Sequence, residues 1–159
     1  MGSSIDKIDK TDLKILKILQ ENGRITNLSL SQEIGLSPAP TLERVKKLEN
    51  AGVIESYHGV VNQSKVGLEI QAFIQVSLTR QVNNAIVNFK RQVQEIPEIM
   101  ECYQVTGAAD YVLKVVVPDI GAFEELISEK LSSMEEIGSM QTTVILSETK
   151  LTRTLPLNY

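Results

Sequence analysis

The chain has 159 residues and a single cysteine, and its formal net charge at neutral pH is −4. This length accommodates one domain or two small ones, and a hydrophobic fraction of 42% is too high for a disordered chain. No apolar run approaches the ~20 residues of a membrane span, no signal-peptide pattern is present, and one cysteine excludes an intramolecular disulfide. A cytoplasmic protein is therefore expected.

Three helices are predicted in the first part of the chain. The segment Thr11–Gln20 carries leucine and isoleucine at helical spacing, with lysines on the opposite side. Two more helices are expected over Asn27–Ile34 and Pro38–Asn50, with Gly35 between them and Gly52 after the second. A helix, a short turn with glycine and a second helix form the outline of a DNA-binding helix-turn-helix.

The start of the third helix is the most informative stretch, Gly35 to Lys46 with the sequence GLSPAPTLERVK. Ser37 is predicted as the N-cap, with its side-chain oxygen accepting from a backbone N–H of the first turn. Pro38 then occupies the first helical position, where the missing N–H costs nothing. The pattern predicts a helix whose first residues are held toward a partner.

Hydrophobic residues from Val53 to Val61 recur with period two. This alternation predicts two short strands beside the helices, the wing of a winged helix-turn-helix. We assign residues 5–62 to this domain and residues 63–70, which contain serine and glycine, to a linker.

Residues 71–159 predict a second domain with the element order βαββαβ. The strands are expected over Ala72–Thr79, Ile99–Val105, Tyr111–Val117 and Thr142–Leu146, and the helices over Asn83–Ile96 and Ile120–Met134. This order is typical of a ferredoxin-like unit, an antiparallel sheet with two helices on one face. The fold class is therefore α+β, and the uncovered sheet face is the natural surface for pairing with another subunit.

The negative charge lies entirely in the second part of the chain. Residues 1–60 carry eight basic and eight acidic side chains, whereas residues 61–159 carry eight basic and twelve acidic ones. A neutral helical part is able to bind phosphates if its cations share one face, and an acidic second part is poorly suited to DNA.

The third helix divides into two faces at about 100° per residue. Leu42, Val45 and Leu48 are expected to face the other helices. The candidate DNA-contacting residues are Ser37, Ala39, Thr41, Glu43, Arg44, Lys46 and Lys47. We expect Arg44 to read guanine or a phosphate, and the lysines to contact phosphates. The same charges on their own are typical of a solvated helix face; the helix before them and the wing after them favour DNA.

Short motifs along the chain match one protein family. They include Ile8-Asp9-Lys10-Thr11-Asp12, Asn22-Gly23-Arg24, Gly35-Leu36-Ser37-Pro38, Leu42-Glu43-Arg44-Val45, Gly52-Val53-Ile54, Val105-Thr106-Gly107 and Asp110-Tyr111. On these residues the chain resembles the Lrp/AsnC family of transcription regulators, the feast/famine proteins, across both domains. The resemblance implies a ferredoxin-like effector domain that dimerises through its sheet, with dimers assembling into tetramers or octamers. It also implies a free amino acid bound between dimers.

The loop Gly107-Ala108-Ala109-Asp110 joins two predicted strands. If the loop is a simple hairpin turn, Gly107 supplies a positive φ and Asp110 forms a turn hydrogen bond. The resemblance implies instead that the loop lines the effector pocket, where backbone N–H groups suit an α-carboxylate and Asp110 an α-ammonium. The implied effector-binding residues are Thr106, Gly107, Ala108, Asp110, Tyr111, Gln141 and Thr142, the last two from a neighbouring subunit. Ala108 replaces a residue that is commonly charged or polar in the family, so the ligand stays open.

Other functions have less support in the sequence. One histidine, His58, and one cysteine, Cys102, lie far apart and predict no metal site, and no cofactor is expected. An enzyme is not expected, since no nucleophile with an obvious base and no phosphate-binding loop is present. The remaining alternative is a small-molecule-binding or assembly module whose helices contact protein instead of double-stranded DNA.

Overall fold

The computed structural model describes residues 8–79 and 83–157, which form two units. The helical unit contains residues 8–60 together with 150–157, and the α/β unit contains the described residues of 61–149. The end of the chain thus groups in space with the first unit, although the linear boundaries predicted from the sequence place it in the second domain. No described helix is both long and apolar enough to cross a membrane.

The helical unit is built from α1 (Lys10–Glu21), α2 (Asn27–Ile34) and α3 (Pro38–Asn50). Its core consists of four buried side chains, Ile15, Leu16, Leu30 and Leu48, surrounded by partly buried aliphatic residues. Each helix contributes to this core because its apolar residues recur every three or four positions and so share one face. The three predicted helices are confirmed.

The start of α1 is fixed by a capping box. The Asp9 Oδ1 atom accepts from the Asp12 N–H at 2.8 Å, and the Asp12 Oδ2 atom accepts from the Asp9 N–H at 3.2 Å. Two backbone donors that have no partner inside the helix are satisfied in this reciprocal way.

The two short strands predicted over 53–61 are wrong, because no strand forms there. The N–H groups of Val53 and Ile54 both donate to the Leu48 carbonyl, at 2.9 and 3.2 Å, and so extend the end of α3. Val60 and Val61 are instead 76% and 65% exposed. A strand needs a neighbour for its backbone groups, and this segment has none within the described part of its own unit.

The last described residues, 150–157, pack against α1. The Gln20 side-chain amide bonds to the Leu155 backbone twice: its Oε1 accepts from the N–H at 2.6 Å, and its Nε2 donates to the carbonyl at 3.3 Å. Leu157 packs partly buried against the helical core. A glutamine amide offers a donor and an acceptor side by side, so it satisfies the tail backbone as a neighbouring strand would.

The α/β unit has the predicted βαββαβ order. Its elements are β1 (Ile70–Leu78), α4 (Asn83–Gln94), β2 (Ile99–Gln104), β3 (Tyr111–Val117), α5 (Ile120–Glu125, continued as a π turn over Leu126–Leu131) and β4 (Ile137–Val144). The four strands are antiparallel in the order β2-β3-β1-β4. The ferredoxin-like fold is confirmed.

The two faces of the sheet differ in burial. Successive strand residues point to opposite faces, so Ala72, Ile74 and Val76 of β1 are fully buried with Phe89 of α4, whereas Phe73 is 39% exposed. The open face therefore carries apolar side chains that the described residues leave accessible.

The last strand begins at Ile137, five residues before the predicted start at Thr142, and that boundary was wrong. The sequence obscured the start because Gly138 is a poor strand former. A Cβ at position 138 would lie 3.2 Å from the Thr79 nitrogen, so glycine is required by the close approach of two backbones at an irregularity between β1 and β4.

Candidate functional site

The turn between α2 and α3 is held by backbone geometry. Gly35 has a φ of 81°, and its N–H and that of Leu36 both donate to the Ser31 carbonyl at 3.0 Å. The Asn27 side chain donates to the Pro38 carbonyl at 2.8 Å, which ties the first turn of α2 to that of α3. The start of α3 therefore has a defined position relative to α2.

Two predictions about the first turn of α3 are wrong. Ser37 is the N-cap residue by position, but its side chain makes no capping hydrogen bond. Thr41, expected to be exposed to DNA, is fully buried, and its hydroxyl donates to the Ser37 carbonyl at 2.9 Å. Bonding to a carbonyl four residues earlier satisfies the threonine hydroxyl and allows a polar residue to occupy a core position.

The buried face of α3 is consequently rotated from the predicted one. Thr41, Val45 and Leu48, spaced by four and three residues, face the other helices, whereas Leu42 is 40% exposed. The prediction that Leu42 faces the core is wrong. Its hydrophobicity was the misleading signal, since a threonine with a satisfied hydroxyl packs equally well at the helix start.

Arg44 contacts the N-terminus of α1. Its Nη1 lies 2.7 Å from Asp9 Oδ2 and 2.7 Å from Asp12 Oδ1. The two carboxylates raise the pKa of the Arg44 guanidinium, and the Asp12 backbone N–H and then Arg44 lower the pKa of Asp9. Sequence reasoning missed this cluster because its members lie about 35 positions apart, although the capping-box spacing marked the two acids.

The remaining candidate DNA contacts are accessible. Ser37, Ala39, Glu43, Lys46 and Lys47 are all exposed on α3. They lie at its start and along one side, next to the exposed Leu42. An accessible helix N-terminus followed by cations is the arrangement with which a recognition helix meets a major groove.

A hydrogen bond fixes the segment that follows α3. The Tyr57 hydroxyl donates to Glu49 Oε1 at 2.9 Å. Partial burial, together with this carboxylate, raises the pKa of Tyr57 to about 12. Glu49, which falls near the apolar face of α3, thus has a partner that keeps its charge at the surface.

The candidate effector loop is anchored to β1 by Asp110. The Asp110 Oδ2 accepts from the Leu78 N–H at 2.8 Å, the Asp110 N–H donates to the Val76 carbonyl at 2.9 Å, and the Asp110 carbonyl accepts from the Val105 N–H at 3.0 Å. Gly107 has a φ of 121°, which a residue with a side chain rarely adopts. Asp110 therefore stabilises the turn whether or not a ligand binds.

Beneath this loop is a cavity of about 200 Å³. Asp110 and Tyr111 line it together with Leu78, Ile86, Gln104 and Val105. The Tyr111 ring is 2% exposed and lies 4.8 Å from the Phe89 ring, centroid to centroid. Its buried hydroxyl has no hydrogen-bond partner among the described residues. The loop residues Thr106, Gly107 and Ala108 are exposed and do not line it.

The other two candidate effector residues are not brought beside this loop within one chain. Gln141 pairs with Gln75 and Thr142 with Ile74, so they point to opposite faces of the edge strand β4. Strand β1 lies between β4 and β3. Residues 8–79 and 83–157 contain no group of three or more His, Cys, Asp or Glu residues that could hold a metal ion.

Two family models match successive parts of the chain. Residues 8–55 match a winged helix-turn-helix DNA-binding domain, and residues 71–155 match the Lrp/AsnC ligand binding domain. The leucine-responsive regulatory protein of Escherichia coli is 38% identical over 149 residues, which cover 94% of this chain and 89% of that protein.

Solved structures agree with this match. A transcriptional regulator from Neisseria meningitidis, in complex with L-methionine, is 41% identical with a TM-score of 0.92, covering 96% of this chain and 98% of that one. A feast or famine regulatory protein from Mycobacterium tuberculosis, complexed with L-methionine, is 28% identical with a TM-score of 0.83, covering 92% and 97%.

Proposed function

The chain belongs to the Lrp/AsnC family of DNA-binding transcription regulators, and we propose that it reads operator DNA with the exposed side of α3. The observation that supports this assignment is the rigid start of α3, held by the Gly35 turn and the Asn27 bond, with Ser37 and Ala39 accessible beside it. The proposed contacts are Ser37, Ala39, Glu43, Lys46 and Lys47. Thr41 is not among them, because its side chain is buried.

A titration of DNA affinity against salt tests this assignment. The probe is the DNA upstream of the protein's own gene, which such regulators commonly bind. Lys46→Gln and Lys47→Gln should each weaken binding and lower the slope of log affinity against log salt by about one, because each removes one phosphate contact. Lys90→Gln removes the same charge from the α/β unit and should change neither quantity. An unchanged slope in both α3 variants would rule out this face.

We further propose that a free amino acid binds at the loop 105–111, since two solved relatives are complexed with L-methionine. The cavity beside the loop and the buried Tyr111 hydroxyl, which has no partner among the described residues, support a site here. Exposed backbone N–H groups around Gly107 suit the α-carboxylate. Asp110 bonds to β1 and retains a role toward the α-ammonium, since carboxylate oxygens accept more than one hydrogen bond. Gln141 and Thr142 would come from a second subunit.

A thermal-shift screen with the twenty amino acids identifies the effector. Gly107→Ala should abolish the shift caused by the hit, because alanine strains a residue at φ 121° and displaces the N–H groups. Gly67→Ala is the matched control: it also has a positive φ, 76°, and lies in the same unit, so it should lower the melting temperature and keep the ligand shift. Retention of the shift in Gly107→Ala would place the ligand elsewhere.

We also propose that the open sheet face joins two subunits, and that dimers assemble further into tetramers or octamers. Phe73 of β1 and Tyr103 of β2 are exposed to 39% and 53%, so two large apolar side chains are accessible on this face. Phe73→Glu should convert the assembly to smaller species in light-scattering measurements, and Val87→Glu, on the exposed side of α4, should not. We infer a cytoplasmic regulator without enzymatic activity or cofactor.

A further inference from the structure

Arg44 is the α3 cation that the sequence favours most as a DNA contact, yet it is already engaged inside the helical unit. One nitrogen, Nη1, donates to Asp9 and to Asp12 at 2.7 Å each. The Arg44 and Asp9 side chains are 36% and 47% exposed, and that of Asp12 is 15% exposed. The contact with Asp12 is therefore shielded from water and salt better than an ordinary surface ion pair.

The two carboxylates have no oxygen left over. Asp9 uses Oδ1 for the Asp12 N–H and Oδ2 for Arg44, and Asp12 uses Oδ2 for the Asp9 N–H and Oδ1 for Arg44. Each of the four oxygens thus accepts one hydrogen bond. These charge-assisted bonds hold one nitrogen of the guanidinium between the two acids and join the middle of α3 to the first turn of α1.

The charge of this cluster also opposes a DNA contact. Two carboxylates and one guanidinium sum to −1, so the cluster as a whole repels phosphate. If Arg44 turned toward DNA, it would leave both acids uncompensated near the duplex, except for the weak favourable effect of the α1 N-terminus. The cation therefore contributes more by holding α3 than by contacting DNA.

We propose that Arg44 is a positioning residue, which together with Asp9 and Asp12 sets the orientation of α3 on α1 and does not itself contact DNA. These three residues are called the clamp below. The inference rests on the proposed DNA-binding role of α3. It assigns Asp9 and Asp12, two acidic residues, a favourable effect on DNA affinity.

The sign of the effect separates this role from direct contact. Neutralising both acids in the double variant Asp9→Asn, Asp12→Asn removes two negative charges and releases Arg44. If Arg44 were a DNA contact, affinity would rise by simple electrostatics. If the clamp positions α3, affinity for the operator should instead fall, by about tenfold as two charge-assisted hydrogen bonds are lost, while affinity for unrelated DNA should stay the same or rise.

The salt dependence of Arg44→Gln, and its combination with the two acid variants, give a second test. Arg44→Gln should weaken operator binding at every salt concentration without changing the salt slope, because no counterion is released at Arg44. Combining Arg44→Gln with the Asp9→Asn, Asp12→Asn pair should weaken binding no further than the stronger of the two sets alone, since all three residues act in one network.

Folding is checked by circular dichroism at the assay temperature. If Arg44→Gln is unfolded at this temperature, the milder variant Asp9→Asn is used in its place, because Arg44 then keeps its bond to Asp12. Asp9→Asn should also bind the operator more weakly, with an unchanged slope of log affinity against log salt. Two results would contradict the positioning role of the clamp. One is a slope of log affinity against log salt that is lowered by about one in Arg44→Gln; the other is tighter operator binding after the two acids are neutralised. If Lys46→Gln and Lys47→Gln also leave binding unchanged, the role of α3 itself fails instead.

Discussion

The two units of this protein are stabilised in different ways. The described α/β unit buries thirteen hydrophobic side chains in one continuous core, whereas the helical unit buries four. The helical unit adds polar links between its segments: the clamp, the Glu49–Tyr57 bond and the Gln20–Leu155 pair. A small domain buries too little apolar surface to rely on its core alone, so charges and hydrogen bonds also hold its helices in place.

The spaces beside the two cores also differ in size. A groove of about 600 Å³ borders the helical core and is lined in part by Leu155 and Leu157 of the tail, whereas the cavity beneath the loop in the α/β unit measures about 200 Å³. The helical unit therefore combines the smaller core with the larger adjoining groove.

Removing a core side chain from the α/β unit should have the largest effect on stability. Phe89→Ala deletes a fully buried ring that packs on Tyr111, and a loss of about 3–5 kcal/mol is expected for such a change. Calorimetry should show the α/β transition shifted to lower temperature with the helical transition retained. Val87→Ala, at an exposed position on α4 away from the proposed subunit interface, serves as control. A helical transition that moves equally would show that the two units do not unfold separately.

Releasing the tail should have the next largest effect, now in the helical unit. Gln20→Ala removes both bonds to the Leu155 backbone, and at about 0.5–1.5 kcal/mol for each bond a loss of about 1–3 kcal/mol is expected. Chemical denaturation followed by circular dichroism measures this loss of unfolding free energy. Gln32→Ala, an exposed position on α2, should be nearly silent. Equal values for the two variants would mean that the tail does not stabilise this unit.

Acid should weaken the helical unit through Asp9. The Asp12 N–H and Arg44 lower the pKa of Asp9 in the folded protein below its ordinary value of 3.8. The ionised Asp9 carboxylate therefore stabilises the folded state fully above the unfolded-state pKa, and this stabilisation is lost as the pH falls through the lower folded-state pKa. The charged groups facing it are Asp12 and Arg44. Between pH 5 and pH 2, the free energy of unfolding of the helical unit should fall less steeply in Asp9→Asn than in the unaltered protein. Lys130 lowers the pKa of Glu98, so Lys130→Gln should make the corresponding fall in the α/β unit less steep.

The smallest effect is expected at Tyr57. Tyr57→Phe removes the bond to Glu49 and should cost about 0.5 kcal/mol, at the low end for a hydrogen bond because the ring is half exposed. Its pKa, raised to about 12, means that the stabilisation is complete below pH 10 and is lost as pH rises from 10 toward 12. Absorbance of tyrosinate should show one group titrating near pH 12 that is missing in Tyr57→Phe.

Local patterns were sufficient where neighbours in sequence are also neighbours in space. The three helices, the Gly35 turn and the βαββαβ order follow from periodicity and breakers, and the structure confirms them. The family motifs lie in these same segments, so the domain order and the class of regulator were also predicted. The wing strands failed because pairing depends on a partner segment, which alternation of hydrophobic residues does not supply.

The face of α3 shows where a local pattern misleads. The helical projection grouped Leu42 with Val45 and Leu48 and left Thr41 outside, whereas in the structure Thr41 is buried with its hydroxyl bonded to the Ser37 carbonyl and Leu42 is exposed. Neighbouring residues differ by about 100° on a helix, so Thr41 and Leu42 exchange core and surface while Val45 and Leu48 stay on the core side.

The sequence by itself determined the order of the elements, the two-domain plan and the identity of α3 as the candidate DNA-reading helix. These depend on periodicity, turn residues and motifs, which are local. Only the tertiary structure decided that Arg44 bonds to Asp9 and Asp12, that residues 150–157 return to α1, and that Asp110 anchors its loop to β1. Each of these contacts joins residues more than 30 positions apart, and the choice among possible partners depends on how the packed elements bring the atoms within hydrogen-bonding distance.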